Sequence, residues 1–221
     1  MFGPPGAGKG TQSNKIVNLF NLHKVSTGDL LRQEAKNETI LGDKIKLLID
    51  KGSLVPDEII NNLIVNILLN KSLFNRLIFD GYPRTLSQAK TLDQLLNNHN
   101  QKISCVLSLE VDEKIVIKRI LGRQTCTKCG LIFNKYFNPS TKSNHSCDSK
   151  FLDKRSDDNE KTVLERYKTY IEKTLPILDF YKDLNLLYEI DGEAEIDDIS
   201  VKISGIIASL EAWLCKAYLY K

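Results

Sequence analysis

Gly3-Pro4-Pro5-Gly6-Ala7-Gly8-Lys9-Gly10-Thr11 decides how the rest of this 221-residue chain is read. It satisfies the pattern G-x-x-x-x-G-K. A loop of this kind turns successive backbone N–H groups toward one anion, at the start of a helix whose dipole also favours negative charge. Gly3, Gly6, Gly8 and Gly10 let the backbone approach phosphate oxygens without a Cβ in the way. Lys9 brings a positive charge to the terminal phosphates. Gly10 stands where a hydroxyl residue usually follows the lysine, so Thr11 is the candidate hydroxyl near a magnesium ion. Gln12 to Phe20 supply the following helix. A glycine-rich turn that binds nothing is the bland alternative, and the correctly spaced lysine argues against it.

Outward from this loop, two periodicities alternate. Leu77 to Pro83, Ser104 to Val111 and Leu186 to Gly192 are short apolar runs ending in polar residues and read as buried parallel strands. Asp57 to Leu69, Leu86 to Leu96 and Asp112 to Ile120 carry helical spacing. This alternation predicts an α/β fold, a parallel sheet flanked by crossover helices. Helical spacing resumes from Val163 to Lys182, kinked or divided at Pro176, and Ile196 to Leu214 reads as a closing amphipathic helix. Only Met1 and Phe2 precede Gly3, so the first strand is expected to be largely absent, through truncation or an internal start. Such a shortened central strand should destabilise the fold.

Composition narrows the class. Hydrophobic residues make up 42% and charged residues 27%, with a formal net charge of +3. This is the balance of a globular chain and argues against a duplex nucleic-acid binder or a membrane protein. The five cysteines are an odd number. Cys126 and Cys129 form C-x-x-C with Cys147 within reach, while Cys105 and Cys215 stand apart. The pattern suggests a metal cluster rather than a disulfide framework.

Two further stretches, Ser26-Thr27-Gly28-Asp29-Leu30-Leu31-Arg32 and Asp80-Gly81-Tyr82-Pro83-Arg84-Thr85, join the glycine loop. Together, in this order and spacing, they resemble the nucleoside monophosphate kinases, and specifically the adenylate kinase family, from Gly3 to about Gly192. The resemblance implies a P-loop core of residues 1–25, 56–118 and 156–221. It implies an AMP-binding insert of residues 26–55 and a lid of residues 119–155, both mobile. It implies ATP contacts from the glycine loop (Gly3, Gly6, Ala7, Gly8, Lys9, Gly10, Thr11), Arg119, Arg123 and Phe133. On the AMP side it implies Thr27, Arg32, Ser53, Val55, Gly81, Arg84, Gln88, Arg155 and Arg166. Asp80, with Thr11, would hold magnesium through water. Lys9, Arg84, Arg119, Arg123, Arg155 and Arg166 would neutralise the phosphoryl group in flight, where positioning and charge do most of the work. Arg119 and Arg123, four residues apart, are expected on one helix face. Asp157 and Asp158 match residues that tie the closed lid to the arginines, or cap the next helix.

The segment from Arg123 to Arg155 has the length of the long-lid members, many of which carry a zinc knuckle. Four ligands are needed for a tetrahedral site. Cys126, Cys129 and Cys147 supply three, and the family register offers Asp148 or His145 as the fourth. Such a zinc would be structural. A degenerate site held by packing is the alternative.

The expected partners are therefore AMP and ATP with magnesium, on a monomer that binds neither nucleic acid nor membrane. GTP as phosphoryl donor is the runner-up. From another class, the chain reads as a regulatory or zinc-ribbon module on an inactive P-loop scaffold. The compartment is expected to be cytoplasmic, with mitochondrial as the alternative.

Overall fold

The structure, a computed structural model, describes residues 1–219, with side chains described as far as Ala212. Cys215 therefore lies outside the described side chains. In chain order the elements begin with α1 (Lys9–Phe20), β1 (His23–Ser26), α2 (Thr27–Glu34), α3 (Ile40–Asp50) and α4 (Asp57–Leu68). Then follow β2 (Leu77–Asp80), α5 (Leu86–Asn98), β3 (Val106–Glu110) and α6 (Glu113–Leu121). Next come β4 (Arg123–Cys126), β5 (Ile132–Asn134) and β6 (Leu152–Asp153). The chain closes with α7 (Glu160–Thr169), α8 (Pro176–Asp183), β7 (Leu187–Asp191) and α9 (Ile196–Leu219).

The parallel strands form two pairs, β1 with β2 and β3 with β7. Residues 1 and 2 join them. Phe2 N–H donates to the Leu107 carbonyl at 2.7 Å, and its own carbonyl accepts from Leu109 N–H at 3.0 Å. The Met1 amine donates to the Phe79 carbonyl at 2.6 Å. Two residues thus do the pairing of a central strand, in the place where sequence reading expects that strand to be largely absent.

Side chains alternate across the sheet. Val25 and Phe79 join a core cluster with Ile45, Ile60, Ile64, Leu68, Tyr82, Leu92 and Leu96. Ile78, Leu107, Leu109 and Ile190 face a second cluster with Ile16, Ile199 and Ile203. Helices therefore cover both faces, as all-parallel strands require. Most helices start on a polar cap: Ser26, Thr39, Thr85, Asp112 and Asn159 each accept a backbone N–H from the first turn.

Three details depart from expectation. The strand β1 was not anticipated, because only Val25 of its four residues is buried. The helical stretch expected from Val163 starts at Glu160, and its break precedes Pro176. Tyr170–Thr174 widen into a π-turn, with Leu175 N–H bonded to the Tyr170 carbonyl at 2.8 Å, and Pro176 then opens α8. Finally, Arg119 and Arg123 do not share a helix face. The helix α6 ends at Leu121 with Gly122 as its cap, and Arg123 begins β4.

Residues 123–153 contain an antiparallel sheet of their own, in the order β5-β4-β6. Among the described residues, no helix is long and apolar enough to cross a membrane.

Candidate active site

The glycine loop runs from residue 3, beside β3, into α1. At Gly3 (φ +134°) a Cβ would lie 2.7 Å from the Leu109 carbonyl oxygen, and at Gly6 (φ +84°) 2.7 Å from Ile120 Cγ1. Both positions need glycine for space as well as for backbone conformation. The loop floors a cavity of about 240 Å³, to which Ala7, Gly8, Gly10, Thr11 and Asp80 also contribute. The cavity lies at the carboxyl ends of β1, β2 and β7, at Ser26, Asp80 and Gly192, where sheets of this kind place ligands.

Lys9 donates to the carbonyls of Gly3 at 2.7 Å and Pro4 at 2.9 Å. Burial lowers its pKa to about 8. The cations of Arg84, Arg166 and Arg123 add to that effect, and Asp80 opposes it. Asp80 closes β2 and is 9% exposed. Its Oδ2 lies 3.5 Å from the Ser13 hydroxyl and 3.7 Å from Lys24 Nζ.

Six of the arginines expected from sequence line the same cavity: Arg32, Arg84, Arg119, Arg123, Arg155 and Arg166. Each is held by a specific acceptor. Arg84 Nε donates to the Gly81 carbonyl at 2.7 Å, and Arg119 to that of Gly192 at 2.7 Å. Arg32 pairs with Asp29 at 2.6 Å, and Arg155 approaches the same carboxylate at 3.9 Å. Arg123 forks onto Asp158, with its Nε at 2.8 Å from Oδ2. Arg166 pairs with Asp157 at 2.6 Å. Both aspartates are thus ion-pair partners, and the cap of α7 is Asn159 instead. Burial lowers the guanidinium pKa values of Arg155 and Arg166 to about 10. For Arg155 the neighbouring Arg123 and Arg32 reinforce the shift. For Arg166 Asp157 opposes it, and Arg123 and Arg84 reinforce it. Lys9 and these six arginines outnumber the four carboxylates among them, Asp29, Asp80, Asp157 and Asp158, and the excess of partly desolvated positive charge is poised to receive a polyanion.

A side pocket of about 60 Å³ adjoins this cavity, lined by Thr27, Ser53, Val55, Gly81 and Gln88 among others. Thr27 donates to the Gly81 carbonyl at 2.8 Å. Gln88 is fixed at both ends: its Oε1 accepts from Arg84 N–H at 2.7 Å, and its amide donates to Asp57 at 2.6 Å. Phe133, on β5, is buried at the far rim with its ring 4.7 Å from that of His145. Phe137 lies 5.4 Å from the Arg119 guanidinium.

Cys126, Cys129, His145 and Cys147 bring four ligand atoms within 4.8 Å of one another. Asp148 is not among them. Its carboxylate accepts from Lys150 N–H at 2.9 Å and caps the short turn Ser149–Phe151, which corrects the expectation of Asp148 as a ligand in favour of His145. His145 Nε2 faces Cys129 Sγ at 3.5 Å while Nδ1 meets the Ser140 hydroxyl at 2.9 Å. Desolvation raises the Cys126 thiol, but hydrogen bonds from the backbone N–H groups of Cys129 and Lys128 and from the Cys129 and His145 side chains outweigh it and bring its pKa to about 6. Burial raises that of Cys147, and its cysteine neighbours raise it further.

Sequence reasoning passed over Ser13, Lys24 and Asp57. Nothing local marks Ser13 or Asp57. For Lys24 a signal existed: it sits two residues before the Ser26-Thr27-Gly28-Asp29 motif, near the ligand end of a strand.

Comparison with known proteins agrees with this geometry. The family model described as Adenylate kinase matches residues 1–186. An adenylate kinase of Pelagibacter ubique is 48% identical over 207 residues, 94% of this chain and 97% of that protein. One from Enterococcus faecalis is 43% identical, covering 94% and 97%, and one from Archaeoglobus fulgidus 39%, covering 96% and 98%. With the glycine loop, the arginine-lined cavity and near full-length similarity all in agreement, the chain belongs to the adenylate kinase family.

Proposed function

We propose that this chain catalyses reversible transfer of a phosphoryl group from magnesium-ATP to AMP, giving two molecules of ADP. The observation that carries the reading is the convergence of Lys9, Arg84, Arg119, Arg123, Arg155 and Arg166 on one cavity beside the glycine loop. In this reading Gly3, Gly6, Ala7, Gly8, Gly10 and Thr11 cradle the triphosphate and Lys9 leaves its loop carbonyls for the phosphates. Arg119, Arg123 and Phe133 serve the ATP side. Thr27, Arg32, Ser53, Val55, Gly81, Arg84 and Gln88 receive AMP in the adjoining pocket, with Arg155 and Arg166 between the two nucleotides. Gln88, anchored by Asp57, presents an amide edge of the kind adenine recognises. Asp157 and Asp158 keep Arg166 and Arg123 oriented, so the protein reorganises little as charge shifts during transfer.

Adenylate kinases use magnesium with ATP. Asp80 fits that role here: it is a nearly buried carboxylate at the cavity floor whose nearest polar partners stand at 3.5 and 3.7 Å, an under-paired anion suited to a hydrated cation. When bound, magnesium supplies charge neutralisation on the phosphates. The Cys126, Cys129, His145 and Cys147 cluster fits a structural zinc, because three thiols and an imidazole make a closed tetrahedral donor set. The Ser140 hydroxyl on His145 Nδ1 fixes the ring for it. Residues 26–55 would close over AMP and residues 119–155 over ATP, excluding water from the transfer. The protein would act as a monomer, in the cytoplasm.

The test is ADP formation from AMP with magnesium-ATP or magnesium-GTP as donor. ATP-dependent turnover is expected, falling roughly 10²- to 10³-fold in Arg84→Ala with little change in thermal unfolding. Turnover with GTP alone would reassign the donor, and a fully active Arg84→Ala would overturn the AMP site.

A further inference from the structure

Among the described residues Lys24 is the cation closest to Asp80, and nothing in the proposed reaction uses it. Its position follows from register. In the β1–β2 pair Lys24 lies opposite Ile78 and Ser26 opposite Asp80, so the alternation of strands puts Lys24 and Asp80 on the same face. That face packs toward α1, and Asn14 of α1 accepts a hydrogen bond from Lys24 Nζ at 3.0 Å. The amine is thereby held 3.7 Å from Asp80 Oδ2, with the two side chains 17% and 11% exposed. The separation is too long for a hydrogen bond but short for a Coulombic interaction in a partly buried site. Among the described residues, Lys24 is the only ion-pair partner of Asp80. The nearby cations Lys9 and Arg84 donate to main-chain carbonyls instead.

Gly10 completes the arrangement. A Cβ there would meet Asp80 Oδ2 at 3.6 Å and Lys24 Nζ at 3.8 Å. Carboxylate, amine and loop backbone therefore border one small space beside Gly10, each at ordinary contact distance from where a Cβ would stand.

We propose that Lys24 is a positioning residue that screens Asp80, so that a divalent cation is captured with the triphosphate and not by the bare carboxylate. The inference rests on the reading that Asp80 faces magnesium. A resident monocation cancels much of the attraction that one carboxylate exerts on a free dication. Tethered to Asn14 and not hydrogen-bonded to Asp80, it leaves the carboxylate oxygens open to the metal's waters once the nucleotide phosphates bring the larger charge.

The experiment is direct Mn²⁺ binding, followed by electron paramagnetic resonance, to the nucleotide-free enzyme and to its complex with a non-hydrolysable ATP analogue. Lys24→Gln should bind Mn²⁺ about fivefold more tightly than the parent without nucleotide, the size expected of one partly exposed charge, while Lys24→Arg should match the parent. The gain should vanish in Asp80→Asn/Lys24→Gln, as it must if the two residues are coupled. Lys24→Met serves equally if the glutamine variant unfolds. An unchanged affinity in Lys24→Gln, or the same gain in Lys24→Arg, would overturn the inference. If Asp80→Asn alone still weakened Mn²⁺ binding to the analogue complex, the magnesium reading would stand without it. Should Asp80→Asn leave that binding unaltered, both ideas would fall.

Discussion

Residues 26–55 and residues 123–155 both leave the parallel sheet and return to it, and they are secured by opposite means. The first segment borrows the main core. Leu31, Ile45 and Val55 are buried in the same cluster as Ile60, Ile64, Phe79 and Leu92. The second has almost no core. Its buried apolar side chains are Cys126 and Phe133, and the rest of its order comes from polar cross-links. Besides the cysteine and histidine cluster, Asn134 donates to the Arg119 carbonyl at 2.6 Å and accepts from Tyr136 N–H at 2.9 Å. A segment of this size cannot bury enough surface to hold itself and needs a staple. Two parts of one chain that would both move in catalysis thus differ in what keeps them folded when they move.

If the cysteine and histidine cluster holds the proposed zinc, the largest effect should come from removing it. Structural zinc contributes on the order of 10 kcal/mol to the folding of small zinc domains, far more than two buried apolar side chains. Chelation, or Cys126→Ser with Cys129→Ser, should expose the amides of residues 123–155 to hydrogen exchange. Those of α3 and β2 should stay protected. If exchange in residues 123–155 did not change, hydrogen bonds alone would be holding the segment and the contrast would collapse.

A smaller effect, at the other segment, sharpens the same contrast. Ile45 is fully buried, and truncating such a side chain costs about 2–5 kcal/mol through lost transfer energy and the cavity left behind. Because Ile45 belongs to the shared core, Ile45→Ala should lower the stability of the whole molecule in urea unfolding, while leaving the capacity of residues 123–155 to bind added zinc unchanged. Selective opening of residues 26–55 with the global midpoint unchanged would show that this segment is independent after all.

The parts of the molecule legible in sequence were those where one residue type is physically forced. The loop needs glycine at positions 3 and 6 because backbone and side chains crowd them, and the strands β2 and β3 announce themselves as apolar runs. What stayed hidden depended on where the chain turns. Arg123 was placed on a helix because its spacing from Arg119 assumed that the helix continues, whereas Gly122 ends it. Spacing favours Asp148 as the fourth ligand with His145 as the alternative, whereas the turn at Thr141–His145, with the His145 N–H on the Thr141 carbonyl at 3.0 Å, brings the imidazole to the cysteines. The role assigned to Lys24 needed the register of a strand that buries only one of its residues and so shows no apolar run. Spacing along the chain locates a motif, but which side chains face one another across elements is a property of pairing and of helix ends.

The smallest effect, a fraction of a proton, concerns the loop on which both segments would close. In the ligand-free enzyme Lys9 has its pKa lowered to about 8, first by burial and then by Arg84, Arg166 and Arg123. An unfolded lysine titrates near 10.4. Between these values the unfolded chain binds more protons than the folded one, so the contribution of Lys9 to stability rises with pH across that window. The buried charge is a burden that alkaline solution relieves. A bound triphosphate reverses the balance by placing several negative charges beside the ammonium group, which raises its pKa again. ATP binding should therefore take up part of a proton at about pH 8.5 and almost none at about pH 6.5 from this group. Calorimetry in buffers of different ionisation enthalpy measures the uptake directly. Lys9→Met should abolish it, whereas Cys126→Ser with Cys129→Ser should leave it in place. That outcome would separate the protonation of Lys9 at the floor of the cavity from the fold of the segment above it. Equal uptake in Lys9→Met would move the proton to another group.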